Sequence, residues 1–290
     1  MIIKLENISK RFDKTQALDS VSLEFGGQKI YGLLGNNGAG KSTMLNIITS
    51  KYMADDGNLT LDNIPMTDND EALNQIYMLG EKNYYPETMK VKEAIKWGAV
   101  FYPKFDVAYA YKLAERFDLP LKKNITELST GYASIFKIVM ALSANTPFLF
   151  LDEPVLGLDA GHRDLFYKLL LERYSENPCT VVISTHLIAE VANFIEHCVI
   201  IKNGRIIKDV PAEELTKVGY TVSGPAALLD EYLKDKEVVS VNYLGGLKTA
   251  NLSGIMPSGA EIPAGLEASK LNLQDYFIQL MNDEPLSKNS

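Results

Sequence analysis

The sequence predicts an α/β fold built around a parallel sheet, and three observations carry that expectation. Short, continuously apolar runs occur at "KIYGLLG", "FLFLD" and "TVVIST", as in strands buried on both faces. A helix-compatible stretch at about 161–177 separates the last two and supplies the crossover that parallel strands require. A glycine-rich turn, "GNNGAGKST" at 35–43, follows the first run and opens a helix-compatible segment at 41–50.

The other elements fit around this frame. "IIKLENISKRF" alternates like a strand, and "ALDSVSLEF" reads as a second one. From about 83 to 145 the pattern is mostly helical, broken at Pro86, Pro103 and Pro120. "CVIIKNGRIIKDV" reads as a hairpin with Asn203-Gly204 at its turn. The character changes after about Leu215. "VVSVNYLGGLKTANL" reads as a further hairpin around Gly245-Gly246. In "NLQDYFIQLM", Leu273, Tyr276, Phe277 and Leu280 recur at helical spacing. The tail "DEPLSKNS" has the polar composition of a disordered end. The expected organisation is a large domain over 1–214, with a helical subdomain at about 83–145, and a small α+β accessory domain over 215–290.

Composition narrows the classes of function. The chain has 290 residues, 46% of them apolar and 23% charged, with a formal net charge of −8. That balance is ordinary for a globular protein and gives no electrostatic reason to expect a nucleic-acid partner. Cys179 and Cys198 lie in apolar, strand-like surroundings and read as thiols of a reducing compartment rather than a disulfide or metal pair. The N-terminus "MIIKLENISKRF" lacks the apolar core of a secretion signal, and no apolar run is long enough to span a bilayer. The expectation is a cytoplasmic protein that reaches a membrane only through a partner.

Residues 35–43 fit the pattern G-x-x-x-x-G-K-[ST]. A backbone wrapped around a polyphosphate must turn its N–H groups inward, and glycine permits the dihedrals and the close approach. Asn36, Asn37, Gly38, Ala39 and Gly40 would form the cradle, closed by Thr43. Lys41 would face the β- and γ-phosphates, and the Ser42 hydroxyl would ligate Mg²⁺. The helix that follows adds its positive end. In "FLFLDEP" four apolar residues lead into Asp152 and Glu153, which places both carboxylates at the carboxyl edge of the sheet, where ligands bind in open α/β folds. Asp152 would hold Mg²⁺ through water, and Glu153 would act as general base on the attacking water. His186 ends "VVISTH" at the same edge and could hydrogen-bond the γ-phosphate.

The order of the phosphate loop, "LSTGY", "FLFLDEP", "LGLDA" and "VVISTH" closely resembles the ATP-binding-cassette (ABC) ATPases over roughly residues 1–210. The resemblance implies a P-loop NTPase core with an antiparallel β subdomain and a helical subdomain, and an ATPase that uses ATP and Mg²⁺. It implies that Phe12 stacks on adenine. It implies that Ser129, Thr130, Gly131 and Tyr132 form the signature loop, with Ser129 and Gly131 contacting ATP bound to a second subunit, and that Asp159 links the two sites. The family's signature reads Leu-Ser-Gly-Gly-Gln, so Thr130 and Tyr132 depart from it while the two phosphate-contacting positions stand. In "IYMLGEKNYYPE" Glu81 occupies the place of the family's usual Gln, which touches Mg²⁺ and the lytic water.

One phosphate loop and one signature loop amount to half of each active site, so the resemblance implies a second ATPase subunit, identical or different, and a separate transmembrane permease. The family receives a permease helix at the aromatic-rich stretch "NYYPETMKVKEAIKWGAVFYPKF". Most of these aromatics read as helical core, and Tyr84 and Tyr85 are the candidates for the partner contact. The C-terminal "NLQDYFIQL" resembles the ending of ABC-2 exporter ATPases of the bacitracin-resistance type, and the chain's size and shape resemble those of phenol-soluble-modulin exporter ATPases. The leading expectation is the ATPase subunit of a bacterial exporter for peptides, antibiotics or amphipathic compounds, peripheral on the inner membrane face. The alternatives are a soluble translation or repair ATPase, a non-hydrolysing nucleotide sensor, which intact Glu153 and His186 argue against, and, within the transporter class, an importer ATPase. Against the first, the chain has neither tandem cassettes nor a coiled-coil insertion.

Overall fold

The computed structural model describes residues 1–282 except 83, 87, 216–218, 258–261 and 272. The expected disordered tail at 283–290 lies outside the described residues. The chain forms two compact units. The first holds Met1–His186 and Val199–Asp209, and the second takes Leu187–Cys198 and the chain from Val210 onward.

In the first unit, β1 (Ile2–Phe12) and β2 (Thr15–Gly26) form a long antiparallel pair. Alternation buries Ile3, Leu5 and Ile8 on one side of β1, with a register shift where Asn7 adopts a left-handed φ of 52°. β3 (Ile30–Leu34) is buried at all five positions and leads through the glycine-rich loop into α1 (Lys41–Ile48). β4 (Asp56–Leu61) and β5 (Ile64–Pro65) complete the antiparallel sheet in the order β2-β1-β4-β5. After a short α2 (Asp70–Leu73), β6 (Ile76–Leu79) joins the second sheet.

The helical segment comprises α3 (Val91–Phe101), α4 (Val107–Arg116) and α5 (Thr130–Ser143), which pack on one another. The chain then returns through β7 (Phe148–Asp152), α6 (Ala160–Glu176), β8 (Thr180–Thr185), β9 (His197–Lys202) and β10 (Arg205–Pro211). The six-stranded sheet runs β10-β9-β3-β8-β7-β6, and β3, β8, β7 and β6 are mutually parallel neighbours. Met44, Leu45 and Ile48 of α1 join Phe25, Leu33, Phe148, Phe150 and Val182 in one core between the sheets. Parallel pairing sends the carboxyl ends of β3, β7 and β8 to the same edge, and this places the site. Asn203 and Gly204, with φ of 51° and 77°, turn β9 into β10.

The second unit contains α7 (Ile188–Val191), α8 (Ala212–Leu215), β11 (Gly219–Pro225), α9 (Ala226–Tyr232), β12 (Val238–Leu244), β13 (Leu247–Ser253), β14 (Glu267–Lys270) and α10 (Leu273–Asn282). Its antiparallel sheet has the order β12-β13-β11-β14. Leu229 and Leu233 pack on Tyr220, Val222, Ala250 and Leu252 to form a separate core. Of the helical stripe read in the sequence, Leu273, Tyr276 and Phe277 are buried.

Neither cysteine is in a disulfide; Cys198 is fully buried and Cys179 half-buried. Burial pushes the Cys179 thiol up to about 11, against a smaller opposing pull from Arg173. Because the thiolate is the nucleophile, iodoacetamide at pH 8 is expected to leave both cysteines largely unmodified in the native protein and to label both in urea, as read by intact mass.

Candidate ATP-hydrolysis site

The glycine-rich loop is shaped by its contacts. Gly40 has φ 111°, and a Cβ there would stand 2.5 Å from the Ala17 carbonyl oxygen; one at Gly35 would stand 2.6 Å from that of Ile201. Both positions demand glycine because backbone crosses them. Gly38, at φ 80°, faces open space and needs glycine for conformation alone. Asn36, Asn37 and Gly38 form the exposed rim, Ala39 is buried, and Ser42 and Thr43 open α1. No side chain caps α1, so its first-turn N–H groups are available to an anion.

Lys41 is only 6% exposed. Its Nζ donates to the carbonyls of Gly35 (2.7 Å) and Asn36 (3.2 Å) and lies 4.0 Å from Glu153 Oε1. Burial draws this ammonium below the usual lysine range, and the carboxylates of Glu153 and Asp152 oppose that shift without cancelling it. The buried cation thus faces two acids delivered by the neighbouring strand β7.

Those acids are held separately. The Ser184 hydroxyl donates to Asp152 Oδ1 at 2.7 Å, across the Asp152–Ser184 register of β7 and β8. Glu153 leaves the sheet with φ 46°, a left-handed conformation that is costly for a non-glycine residue and is found where a site requires it. Its N–H donates to the Ser184 carbonyl at 2.8 Å. The Thr185 hydroxyl donates to Oε2 at 3.2 Å, and His186 Nδ1 lies 2.9 Å from Oε1. Glu153 and His186, predicted from strand ends, therefore meet directly. Ser184 and Thr185 were missed because they sit inside an apolar run; the only signal was two hydroxyls at its carboxyl end.

A cavity of about 620 Å³ opens beside the loop, lined among others by Phe12, Ser42, Thr43, Lys51, Tyr52, Glu81, Tyr84 and Asp152. Phe12 is 42% exposed and meets Tyr52 edge-on at 5.4 Å, with the Lys10 ammonium 5.5 Å from its ring centre. An exposed aromatic pair on the wall of this cavity suits a stacked base. Tyr52 was not legible as a site residue, since nothing in its local sequence marks it. Ser42, Asp152 and Glu81 share the cavity, and a hydroxyl with two carboxylates is the hard oxygen set that suits Mg²⁺.

The signature residues and Asp159 do not line this cavity. Ser129 caps α5, its Oγ accepting from the Tyr132 N–H at 3.4 Å. Ser129 and Thr130 are exposed, and Gly131 and Tyr132 are half-buried. A Cβ on Gly131 would stand 3.2 Å from the Gly157 carbonyl oxygen, and Ser134 Oγ donates to the Leu156 carbonyl at 2.8 Å. The signature turn therefore packs on the loop that carries Asp159. Asp159 in turn caps α6, accepting from the His162 N–H at 2.9 Å, with its Oδ2 2.7 Å from His162 Nδ1. These bonds hold its carboxyl below the usual range, the backbone bond most of all.

The aromatic stretch divides differently from the expectation. Tyr84 is 66% exposed, and the Lys51 ammonium lies 4.8 Å from its ring centre. Tyr85 instead turns inward against Phe136 at 5.1 Å and hydrogen-bonds Tyr77, and burial pushes its phenol up to about 12. Phe105 is buried as expected, but Trp97 and Phe101 are 46% and 63% exposed and stack on each other at 5.9 Å. The reason is the face α3 buries: Val91, Ala94, Ile95 and Gly98. A Cβ on Gly98 would stand 2.6 Å from the Phe105 ring, so the helix sits close on its small-residue side and turns its aromatics outward.

A glycine-cradled lysine, two carboxylates at the end of the next parallel strand and a histidine on one of them define a P-loop ATPase. Comparison with known proteins refines the class. The family model described as ABC transporter matches residues 18–156. The ABC transporter ATP-binding protein YtrB of Bacillus subtilis is 26% identical over 99% of this chain and 95% of its own length. The zinc uptake system ATP-binding protein ZurA of Listeria monocytogenes is 32% identical over 73% of this chain and 87% of its own. Among solved structures, the dimeric MJ0796 cassette of a bacterial ABC transporter superposes with a TM-score of 0.64 at 25% identity, covering 72% of this chain and 98% of that one. The chain belongs to the ABC transporter ATP-binding proteins, and it is an ATPase whose turnover is coupled to transport.

Gly40→Ala is expected to abolish ATP binding measured by fluorescent-nucleotide titration, because the new methyl meets the Ala17 carbonyl at a φ that L-residues resist. Gly38→Ala, with open space around it, is expected to weaken binding far less.

Proposed function

We propose that this chain is the motor subunit of a bacterial ABC exporter for peptides, antibiotics or amphipathic compounds. Two ATPase subunits enclose two ATP molecules and drive a separate permease from the inner membrane face. The observation that carries the motor reading is Glu153, held by Thr185 and His186 within 4.0 Å of the Lys41 ammonium. There it can accept a proton from water attacking the γ-phosphate, while Lys41 faces the phosphates and Phe12 with Tyr52 receives the adenine. Mg²⁺, held by Ser42, Asp152 and Glu81, would neutralise charge on the β- and γ-phosphates. Ser129 and Gly131 present the α5 N-terminus to ATP on the second subunit, and Asp159 holds the adjoining turn.

The exporter direction rests on the resemblance of "NLQDYFIQL" to ABC-2 exporter endings; two further observations bear on the C-terminal chain and on the permease contact. The YtrB match spans nearly the whole chain, whereas the petrobactin import protein YclP and ZurA align over 74% and 73% of it. The chain beyond the cassette, from about 215 on, is thus shared with YtrB, and we assign it a role in dimerisation or regulation. Trp97 and Phe101, stacked on each other, and Val100 are exposed apolar residues on α3 that fit a permease helix. Among the described residues no helix is long and apolar enough to cross a membrane, in keeping with attachment through a partner.

Glu153→Gln is expected to retain ATP binding, lose roughly 10²–10⁴-fold in turnover, and accumulate as a dimer with ATP in light scattering. Near-normal phosphate release by that variant would remove Glu153 from the role of base. Trp97→Ser with Phe101→Ser is expected to abolish co-purification with the permease while ATP binding persists. Vesicles reconstituted with the permease decide direction: ATP-dependent uptake of labelled peptide from the side bearing the ATPase supports export, and release toward that side supports import.

A further inference from the structure

Lys137 lies on α5, six residues beyond Gly131 and hence about 9 Å along the helix axis from it. Its Nζ donates to the Gly80 carbonyl at 3.0 Å and also to the Glu81 carbonyl. Burial draws its ammonium below the usual lysine range, and the nearby Glu81 carboxylate opposes the shift. An apolar side chain would avoid that desolvation, so what the lysine adds is its pair of hydrogen bonds.

Those bonds fall on the loop just beyond the sheet. β6 is the edge strand of the parallel sheet, and its ladder to β7 ends at the pair Leu79–Leu151. Gly80 and Glu81 come immediately after. Glu81 lines the cavity shared with Ser42 and Asp152. At the other end of the connection, the first turn of α5 carries the signature residues, capped by Ser129. We infer that Lys137 is a positioning residue coupling the two halves of the composite ATP site. It ties the helix that meets the second subunit's ATP to the loop whose Glu81 borders the chain's own ATP. A displacement of α5 on dimer closure moves the Glu81 loop with it, and formation of one half-site thereby sets the other. The inference rests on the two-subunit reading above.

The test uses the full chain and ATP. In the Glu153→Gln background, ATP-driven dimerisation is followed by light scattering, with and without Lys137→Met; steady-state turnover against ATP is measured with Glu153 intact. Lys137→Met is expected to leave nucleotide binding to the monomer unchanged. It should raise the ATP concentration for half-dimerisation about 10-fold, the scale of a lost charged hydrogen-bond pair, and lower the Hill coefficient of turnover toward one. Lys137→Arg should restore both. A merely structural lysine would shift the melting temperature without changing the Hill coefficient. Should Lys137→Met not fold, Lys137→Gln, which keeps an N–H donor, carries the same comparison with a smaller expected shift. Equal ATP dependence of dimerisation with and without the folded Lys137 substitution overturns the coupling. A Glu153→Gln protein that stays monomeric with saturating ATP overturns the two-subunit reading itself, whatever Lys137 does.

Discussion

A nearly buried ammonium facing two carboxylates organises this molecule. Lys41 would be costly in that position alone, and the loop carbonyls of Gly35 and Asn36 satisfy it only in part. The remaining compensation comes from β7, which delivers Asp152 and Glu153 to the same edge. The parallel register of β3, β8 and β7 is therefore an electrostatic requirement as well as a packing result. Glu153 accepts a strained φ to stay beside the lysine, and its carboxylate oxygens are shared among Thr185, His186 and Lys41. A carboxylate with that many fixed neighbours is oriented before any substrate arrives, as its proposed role of base requires.

The residues proposed to meet a second subunit's ATP do not line the cavity. Ser129 and Asp159 serve as helix caps, on α5 and α6, and the two capped turns touch through Gly131, Gly157 and Ser134. Capping rigidifies a helix end and leaves other first-turn N–H groups free. The same side chains can therefore fix the local turn and present the positive helix end outward. A glycine at position 131, poor for a helix in isolation, is explained by the close Gly157 carbonyl.

Legibility followed the range of the interaction. The phosphate loop, the acidic strand end and His186 could be read because each is a contiguous pattern whose composition has a local physical cause. The hairpin at Asn203-Gly204 is of the same kind. β6 could not be read from its four residues, because it is defined by pairing with β7. Tyr52 joins the site only because the chain after α1 returns beside Phe12. Trp97 and Phe101 were misjudged for a similar reason: hydrophobicity argues for burial, but the small residues on the opposite face of α3 decide which side of the helix docks.

The sequence by itself determined the fold class, the glycine-rich loop, the pair of carboxylates at a strand end and the family resemblance, since each depends on residues close together in the chain. Only the tertiary structure decided which groups share Glu153, that Tyr85 points inward while Tyr84 does not, and that Lys137 grips the Glu81 loop. Those contacts join residues up to 112 positions apart, as with Lys41 and Glu153, and nothing in a local pattern specifies a partner at that separation. Burial then sets their strength, because a charge or hydrogen bond counts for most where water cannot replace it.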